Sequence, residues 1–456
     1  MASPKLASAV EWLDARIAHD PEINARLFER LLTAQRELGL LHGERPTCPY
    51  LRPLILARSQ YEEIATAASV LAAAFERMGE AALSDPRLLD ELALTERERL
   101  MATFDPGYEK LCVTSRLDAY LDGDEFKFLE YNAESPAGVA DQMQLEKVLF
   151  TLPHMREFLE RYAHWTPRPH RRLLRALDAA YREWGGRRAR PQIAIVDWEG
   201  VSTASEFEVL REYFEGEGYA TVIADPRALE YDGETLSAGA FRIDVLYKRV
   251  VIHEFLERFD ERHAMSRAYA EGKVCMANSF RSKLAHKKAS LAILSDPAYE
   301  HLFTPAQRSA IARHIPWTRR VREGWASYGG ERRDLLELIR RERERLVLKP
   351  NDDYGGHGVR IGWETDAAAW DETISLALQT PFVVQERVAV RKVRMPGFTA
   401  TGSTASGMEV EELFADFNPF LFLNRVEGGL VRLSSSSLCN VSSGGGETAL
   451  LVLENF

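Results

Sequence analysis

Four polar residues stand at alternate positions in the stretch CVTSRLDAYLDGDEFKFLEYN, residues 112–132: Arg116, Asp118, Glu130 and Asn132. Both halves have the alternation and aromatic content of β-strands, and turn-forming residues separate them. If the hairpin closes around Asp124, Asp118 lies opposite Glu130 and Arg116 lies opposite Asn132, all on one face. Two facing carboxylates repel each other unless a cation lies between them, and hard oxygen ligands suit Mg²⁺. The stretch therefore predicts a magnesium site on one face of a hairpin.

The register of the hairpin decides this prediction. It needs a three-residue loop, or a two-residue turn with a compensating bulge, because a slip by one residue would move Glu130 to the other face. The opposite face then carries apolar side chains that suit a core: Leu117, Ala119, Leu121, Leu129 and Tyr131. The alternative is a solvated hairpin whose charged residues form surface pairs.

A second candidate site is the segment LVLKPNDDYGGHGV, residues 346–359, in which an apolar strand ends at Lys349. Glycines let backbone N–H groups approach an anion closely, and a lysine adds a point charge. The pattern therefore favours a phosphate-binding turn, although no Gly-Lys-Ser/Thr follows as in a P-loop. The residues of this predicted site are Lys349, Tyr354, Gly355, Gly356, His357 and Gly358. For the glycine-rich turn considered alone, the alternative is an ordinary hairpin loop.

The buried-type strand PFVVQERVAV, residues 381–390, is interrupted by Gln385 and Glu386. These polar groups could face a purine amino group, with adjacent backbone groups completing the recognition of adenine. Polar side chains turned outward from an amphipathic strand are the alternative.

The stretch NSFRSKLAHKKASLAIL, residues 278–294, is typical of a loop that enters a helix. Lys283, Lys287 or Lys288 could bind phosphates, and helical spacing does not decide which of them points inward. At least one of the three is expected on a solvated face.

The order of these segments resembles that of the circularly permuted ATP-grasp proteins, and within them the synthetase part of the glutathionylspermidine synthase-like group. Arg116-x-Asp118 and Glu130-x-Asn132 carry the resemblance, together with residues 282–294, 347–359 and 383–388. In most ATP-grasp enzymes the metal-binding residues come last, whereas here they precede the lysine and the glycine turn by more than 200 residues. Circular permutation would produce this inversion.

The resemblance implies a role for each candidate residue. Asp118, Glu130 and Asn132 would hold two Mg²⁺ ions, and Arg116 would contact the transferred phosphoryl group. The residues that would bind ATP are Lys283, Lys288, Lys349, Tyr354, Gly355, Gly356, His357, Gly358, Gln385, Glu386 and Val388.

The chain departs from the family pattern at two points. About 100 residues precede the hairpin and they read as helical, so no amidase domain is expected there. The segment Gly429-Leu430-Val431-Arg432-Leu433 lacks the acid of the family's Gly-Ile-Arg-Glu. The likeness thus implies ATP-grasp chemistry, and gives little support to glutathione or spermidine as substrates.

The chain as a whole predicts an α/β (α+β) fold: a circularly permuted ATP-grasp core with a small parallel domain and an N-terminal helical layer. Residues 1–100 show the three-to-four spacing of helices packed on the core. Residues 101–165 would form the metal-binding hairpin and a helix. After a basic, Pro/Gly-punctuated boundary, strand–helix–strand alternation over 190–277 predicts a small parallel α/β unit, similar to a pre-ATP-grasp domain. Residues 278–456 would form the nucleotide-binding part.

Composition argues against several classes of protein. The net charge of −11 disfavours a general nucleic-acid surface. The four cysteines are far apart and form no CxxC pair, which is typical of reduced thiols. No secretory signal and no apolar run of membrane-spanning length is found, so a cytoplasmic protein without membrane contact is expected. The oligomeric state is left open.

These observations predict a Mg²⁺- and ATP-dependent ligase that joins a carboxylate to an amine or thiol through an acyl phosphate. The substrates would be a small-molecule or peptide acid and an amine. A small-molecule kinase on the same fold, which needs a single acceptor, and a non-catalytic nucleotide-binding protein are the alternatives. The full set of four hairpin residues favours catalysis, because binding alone would not require it. The polar loops 396–407 and 434–446 could cover the site or connect surface strands.

Overall fold

The computed structural model describes residues 4–20, 22–122, 125–353, 355–390, 392–398, 408–436 and 445–456. Its helices are α1 (Pro4–Ala18), α2 (Ala25–Glu37), α3 (Arg58–Ser84), α4 (Pro86–Glu91), α5 (Glu96–Thr103), α6 (Asp141–Leu149), α7 (Pro153–Arg161), α8 (Pro169–Glu183), α9 (Ala204–Gly216), α10 (Ile252–Arg258), α11 (Ala264–Ala270), α12 (Lys283–His286), α13 (Ala289–Leu294), α14 (Pro305–His314), α15 (Leu335–Arg341) and α16 (Ala367–Ala377).

The strands are β1 (Leu41–His42), β2 (Arg45–Pro46), β3 (Leu54–Ala57), β4 (Thr114–Asp122), β5 (Glu125–Asn132), β6 (His164–Trp165), β7 (Ile193–Val196), β8 (Thr221–Ala224), β9 (Leu229–Tyr231), β10 (Leu236–Ala238), β11 (Phe241–Arg242), β12 (Val245–Lys248), β13 (Cys275–Ala277), β14 (Thr318–Arg320), β15 (Trp325–Tyr328), β16 (Glu331–Asp334), β17 (Leu346–Pro350), β18 (Arg360–Ile361), β19 (Phe382–Glu386), β20 (Lys392–Phe398), β21 (Met408–Phe422), β22 (Arg425–Ser434), β23 (Gly446–Thr448) and β24 (Leu450–Leu453).

A six-stranded sheet contains the predicted hairpin. Its order is β23-β22-β21-β4-β5, and β20 pairs with the first half of β21, from Met408 to Phe414. The long helix α3 covers one face: its buried residues recur at helical spacing and share a core with Leu117 and Tyr131 of the hairpin. On that face Phe75 stacks on Tyr131 with the ring centroids 4.4 Å apart. Burial of one face against α3 leaves the other face of the hairpin available for polar groups.

A second, four-stranded antiparallel sheet has the order β14-β19-β17-β18. Its central strands β17 and β19 are the two apolar segments that the sequence singles out around Lys349 and Gln385. Trp370 and Ile374 of α16 lie in the core that closes one side of this sheet. The turn between β17 and β18 holds the glycine-rich segment.

The predicted parallel unit is confirmed as a four-stranded sheet of order β13-β12-β7-β8, with every pair parallel. The helix expected between its first two strands is α9. The fourth strand, Cys275–Ala277, was not predicted; it is short and entirely buried.

The N-terminal layer is helical, as predicted, but it also contains a strand that was not predicted. Strand β3 pairs in parallel with β24, and β24 pairs on its other edge with β6. The first hundred residues are thus joined to the C-terminal segment by a shared sheet as well as by helix packing.

Within the described residues, no helix has both the length and the apolar character needed to cross a bilayer. Cys48, Cys112 and Cys275 are buried free thiols. Cys439 lies outside the described residues.

Candidate active site

The hairpin has the predicted pairing at its polar end. Arg116 pairs with Asn132 and Asp118 with Glu130. The pairing extends to Asp122 opposite Glu125, and a bulge at Leu129 restores the register, which is the second of the two predicted solutions. The bulge also corrects one assignment: Phe126 and Phe128 face the core, whereas Leu129 turns away and lines the cavity described below.

Asp118 lies between two guanidinium groups. Nε of Arg116 donates to Oδ1 at 2.7 Å, and Nη2 of Arg432 donates to Oδ2 at 2.8 Å. Burial alone would raise the pKa of Asp118, but the charges of Arg116 and Arg432 outweigh it and lower the pKa to about 2. The carboxylate is therefore ionised at neutral pH, the state that a metal ligand requires.

Glu130 faces two lysines across the gap between the sheets. Nζ of Lys288 lies 3.0 Å from Oε1 of Glu130. Burial opposes ionisation, but Lys288 and Lys349 together lower the pKa of Glu130 despite the nearby charge of Asp118. Burial also lowers the pKa of Lys349, to about 8, although the negative charge of Glu130 opposes this shift. We call Asp118, Glu130, Lys288 and Lys349 the open cluster, because all four line a cavity.

The glycine-rich turn forms one wall of that cavity. Gly355, Gly356 and Gly358 have φ angles of +67°, +76° and +68°, in the left-handed region that favours glycine. A Cβ at Gly358 would lie 2.6 Å from Cγ of Pro350, so the turn also needs glycine for space. His357 lines the cavity from an exposed position, and Tyr354 lies outside the described residues.

The cavity has a volume of about 460 Å³ and lies between the two sheets. Its polar end holds the open cluster with Arg116, Asn132 and Arg432. Its other wall is apolar, with Val347, Ile361, Trp363 and Val388. A cavity of this size with an apolar wall and convergent charges is typical of a cofactor site.

Gln385 and Glu386 line the cavity, but their side chains are already bonded within the protein. Oε1 of Gln385 accepts from Nζ of Lys349 at 2.6 Å, and its Nε2 donates to Oγ1 of Thr318 at 3.1 Å. Glu386 accepts from the hydroxyl of Tyr328 at 3.2 Å. The amide of Gln385 thus holds Lys349 in position, and its predicted contact with a purine stays a prediction.

Lys283 and Lys287 do not line the cavity. Nζ of Lys283 lies 2.6 Å from both Glu134 and Asp352, and Nζ of Lys287 lies 2.9 Å from Glu98. We call Glu98, Glu134, Lys283, Lys287 and Asp352 the sealed cluster. Of the three candidate lysines, the structure places Lys288 alone against the cavity.

Glu134, His286 and Asp352 converge closely enough to hold a metal ion, and among the described residues no other such group of three exists. The ammonium of Lys283 already lies among these carboxylates. Burial would raise the pKa of Glu134, but the positive charge of Lys283 outweighs it and lowers the pKa to about 2, so this carboxylate is ionised. The group therefore has its counter-ion within the chain.

Two residues of the site, Asp416 and Arg432, had no role predicted from the sequence. The guanidinium of Arg432 bridges the two acids, because its Nε donates to Oδ2 of Asp416 at 2.9 Å while its Nη2 reaches Asp118. Asn418 holds Asp416 in turn, at 2.7 Å. The register of β21 against β4 and β22 brings these side chains together. In the sequence, the one signal for Arg432 is its place in the segment that partly matches the Gly-Ile-Arg-Glu pattern.

The polar end of the cavity fits a metal–nucleotide complex. Two ionised carboxylates face each other there, and beside them Nδ2 of Asn132 is buried without a hydrogen-bond partner. An unpaired buried amide costs about 1–3 kcal/mol, which a ligand would relieve. The lysines and the glycine turn lie on the far side, where phosphate oxygens would meet them.

Comparison with known proteins bears on the fold. No family model matches the chain, and no curated protein matches its sequence. Among solved structures, a glutathione synthetase-like effector from Globodera pallida superposes with a TM-score of 0.60 over 95% of this chain and 97% of its own, at 13% identity. The fold is ATP-grasp-like.

Two further structures match with lower TM-scores. A protein named as a candidate γ-glutamylcysteine synthetase from Methylobacillus flagellatus has a TM-score of 0.41 at 10% identity, over 85% of both chains. A RimK-domain ATP-grasp protein from Sphaerobacter thermophilus has a TM-score of 0.26 at 17% identity, over 57% of this chain and 90% of its own. Neither value adds to the assignment of the fold.

Proposed function

We propose that this protein is an ATP-dependent ligase that joins a carboxylate to an amine or thiol through an acyl phosphate. The observation that carries the proposal is the single cavity in which Arg116, Asp118, Glu130 and Asn132 face Lys288, Lys349 and the glycine turn. The segments come from both ends of the chain, and the order of their motifs resembles that of permuted ATP-grasp enzymes, as in the glutathionylspermidine synthase-like group. The fold shared with a glutathione synthetase-like effector supports the same class of chemistry.

The chain's own residues would bind the nucleotide in two halves. Lys288, Lys349 and the backbone of the glycine turn would hold the phosphates, and the apolar wall at Val347, Ile361 and Val388 would hold the adenine ring. Trp363 adds an aromatic face whose position is fixed by the guanidinium of Arg387, 4.1 Å from the ring centroid.

Asp118, Glu130 and Asn132 are the residues that would hold Mg²⁺, with two ions by resemblance to the family. The metal supplies neutralisation of the phosphate oxygens. In the structure the guanidinium groups and Lys288 balance the carboxylates instead. These cationic side chains would turn to the phosphoryl group as it transfers, and so stabilise the charge that develops there.

The proposed reaction needs positioning more than a protein nucleophile. The substrate carboxylate attacks the γ-phosphorus, the bond to the bridging oxygen breaks, and ADP leaves. An amine then attacks the acyl carbon and inorganic phosphate leaves. Among the described residues that line the cavity there is no cysteine, and the charged groups there suit charge stabilisation during both steps.

Calorimetry of ATP binding with Mg²⁺ is the first test, on the wild type and on Asp118→Asn/Glu130→Gln. We expect Mg²⁺-dependent binding that the double variant weakens at least tenfold. Glu212→Gln/Glu230→Gln removes the same charge from exposed positions and should bind as the wild type does. No binding by folded wild-type protein would contradict the proposal.

Release of ADP distinguishes a ligase from a kinase. With candidate acids and amines in pairs, a ligase releases ADP and phosphate only when both partners are present. ADP release with a single acceptor, and without free phosphate, would show a kinase instead.

A further inference from the structure

The loop between β5 and α6, residues 133–140, holds the guanidinium group of Arg116 from behind. Nη1 of Arg116 donates to the backbone carbonyl of Ala137 at 2.9 Å. Its Nε and Nη2 both donate to the carboxylate of Asp118, at 2.7 and 3.1 Å. If Mg²⁺ takes over the carboxylate of Asp118, Nε and Nη2 are released toward the phosphates, whereas the bond to Ala137 remains. The position of Ala137 then decides where the guanidinium group points.

Two buried charges of the parallel unit hold this loop on either side of Ala137. On one side Arg249, which follows β12, donates through Nη1 to the backbone carbonyl of Pro136. On the other side Oε1 of Glu206, in α9, accepts from the backbone N–H of Val139 at 2.7 Å. The two side chains also form an ion pair, with Nη2 of Arg249 3.6 Å from Oε2 of Glu206. The pair thus clamps the loop from both sides of the carbonyl that Arg116 uses.

The clamp has little freedom to move. Glu206 and Arg249 are only 5% and 3% exposed. The guanidinium carbon of Arg249 lies 5.5 Å from the ring centroid of Phe207 and 5.6 Å from that of Tyr247. Water cannot easily replace a lost partner at such depth, so the loss of either charge would leave the other without compensation.

The centre of the loop is constrained as well. Gly138 has a φ angle of +95°, in the left-handed region that favours glycine. A Cβ at Gly138 would lie 2.9 Å from Cδ1 of Leu430 in β22. The loop therefore packs against the six-stranded sheet while the parallel unit holds its polar groups, and both determine where the carbonyl of Ala137 lies.

We propose that Glu206 and Arg249 are positioning residues for phosphoryl transfer in the proposed ligase, acting through the carbonyl of Ala137 on Arg116. The inference rests on the proposed function. Arg116 lines the nucleotide cavity, but Glu206 and Arg249 do not. The parallel unit thus takes part in phosphoryl transfer without contacting the phosphates. Without the clamp the guanidinium group loses its fixed direction, and small displacements of a positioned group weaken its action strongly.

The test compares the binding of ADP and of a non-hydrolysable ATP analogue, each with Mg²⁺, by calorimetry. The ligands differ in the γ-phosphoryl group that Arg116 would contact, so the ratio of their dissociation constants reports on this contact without requiring the substrates. The wild type should bind the ATP analogue about tenfold or more tightly than ADP. Glu206→Ala and Arg249→Met should each lower this ratio about fivefold, with the Kd of ADP kept within about twofold.

A double-variant cycle separates positioning from general destabilisation. Arg116→Met should lower the ratio about tenfold. If Glu206 acts through Arg116, Glu206→Ala/Arg116→Met should have the same ratio as Arg116→Met alone, whereas two independent effects would multiply.

Asp244→Ala is the matched control for the loss of a buried acid. Asp244 is also buried in the parallel unit, accepts from the backbone N–H of Gln192 at 2.9 Å and lies 3.2 Å from Nη1 of Arg188. It precedes β12, at the opposite end of this strand from Arg249. Asp244→Ala should lower the melting temperature and leave the ratio unchanged.

The outcomes separate the two proposals. ADP binding together with a wild-type ratio in Glu206→Ala, or effects of Glu206→Ala and Arg116→Met that multiply, would overturn the positioning role alone. Equal wild-type affinity for ADP and the ATP analogue would also overturn it, because Arg116 would then have no γ-phosphoryl contact to orient. Absence of binding of both nucleotides by the folded wild type would overturn the ligase itself.

Circular dichroism checks that each variant is folded. Should Glu206→Ala not fold, Glu206→Gln takes its place, because it keeps an oxygen acceptor for the N–H of Val139 and removes only the charge opposite Arg249. It should lower the ratio about threefold, and an unchanged ratio would count against the positioning role.

Discussion

The open cluster and the sealed cluster are built from the same residue types, and their members are neighbours in sequence. Glu130 and Lys288 belong to the open cluster, whereas Glu134 and Lys283 belong to the sealed one. Lys283 is fully buried and contacts three carboxylates. Lys288 has one carboxylate partner, Glu130, whose side chain is 25% exposed to the cavity.

The difference shows that pairing, rather than residue type, separates structural charges from functional ones. In the sealed cluster each charge has its counter-ion within the chain, so a ligand would only disrupt it. In the open cluster, cations of the chain occupy the positions beside Asp118 and Glu130 where a metal would bind, and burial lowers the pKa of Lys349 to about 8. The ion pairs of the open cluster can therefore be exchanged: a polyanion can take over the cationic side chains while its metal takes over the carboxylates.

The largest effect is expected on stability, from Lys283→Met. Removing this ammonium leaves Glu134 and Asp352 buried without their nearest counter-ion, which costs about 3–5 kcal/mol of the free energy of unfolding. Lys288→Met should cost clearly less, because Glu130 can be hydrated from the cavity, but it should weaken ATP binding at least tenfold. Urea denaturation and calorimetry measure the two quantities. Equal loss of stability in both variants would break the distinction between the clusters.

A second prediction concerns Glu130→Gln, which removes a metal-binding charge while keeping the shape of the side chain. Turnover should fall by about 10²–10³, or about 3–4 kcal/mol of barrier, as for other groups that stabilise charge in the transition state. The measurement is the rate of ADP release with saturating substrates. Glu134→Gln serves as the contrast, since it should lower the melting temperature more than it lowers the rate.

Gln385→Leu should have a smaller effect. The substitution removes the acceptor that holds Nζ of Lys349 and leaves Oγ1 of Thr318 without its donor. Hydrogen bonds to charged groups contribute about 1.5–3 kcal/mol, and we expect this amount to appear mainly as weaker ATP binding. If the amide instead contacts adenine, the variant should lose discrimination between ATP and GTP, which competition binding detects.

The smallest effect is a pH dependence of ATP binding. Because burial lowers the pKa of Lys349 to about 8, the free protein loses this ammonium charge above that pH. Phosphates restore the charge, so binding above pH 8 should take up a proton and the Kd should rise by at most about tenfold per pH unit. Lys349→Arg keeps its charge and should abolish this dependence. Calorimetry in buffers of different ionisation enthalpy counts the protons.

The hairpin could be predicted to the level of individual pairs because its signal is local. Strict alternation and a turn between two strands fix which residues face each other, and the bulge at Leu129 only changes which apolar residues reach the core. The same holds for the parallel unit, whose strands and helix each have their own periodicity.

The positions of Lys288 and Arg432 could not be predicted from a local pattern. Helix α12 ends at His286 and α13 begins at Ala289, so the break between them turns Lys288 away from the direction that continuous helical spacing would give. The segment Asp416–Pro419 looks like a polar turn, yet it lies inside β21, where the register shifts between Pro419 and Leu421. A proline beside a bulge is tolerated in a strand, and that context depends on the partner strands.

The pairing of β3 with β24 also bears on how the chain is made. Oγ1 of Thr448 donates to the backbone carbonyl of Arg52, 396 positions earlier, and the strands run side by side from there. During synthesis, residues 54–57 therefore wait for their partner until nearly all of the described chain has emerged from the ribosome. During this time the unpaired edge of an apolar strand can pair with another chain, which favours aggregation. We expect expression to depend on chaperone supply more strongly than the stability of the finished protein would suggest.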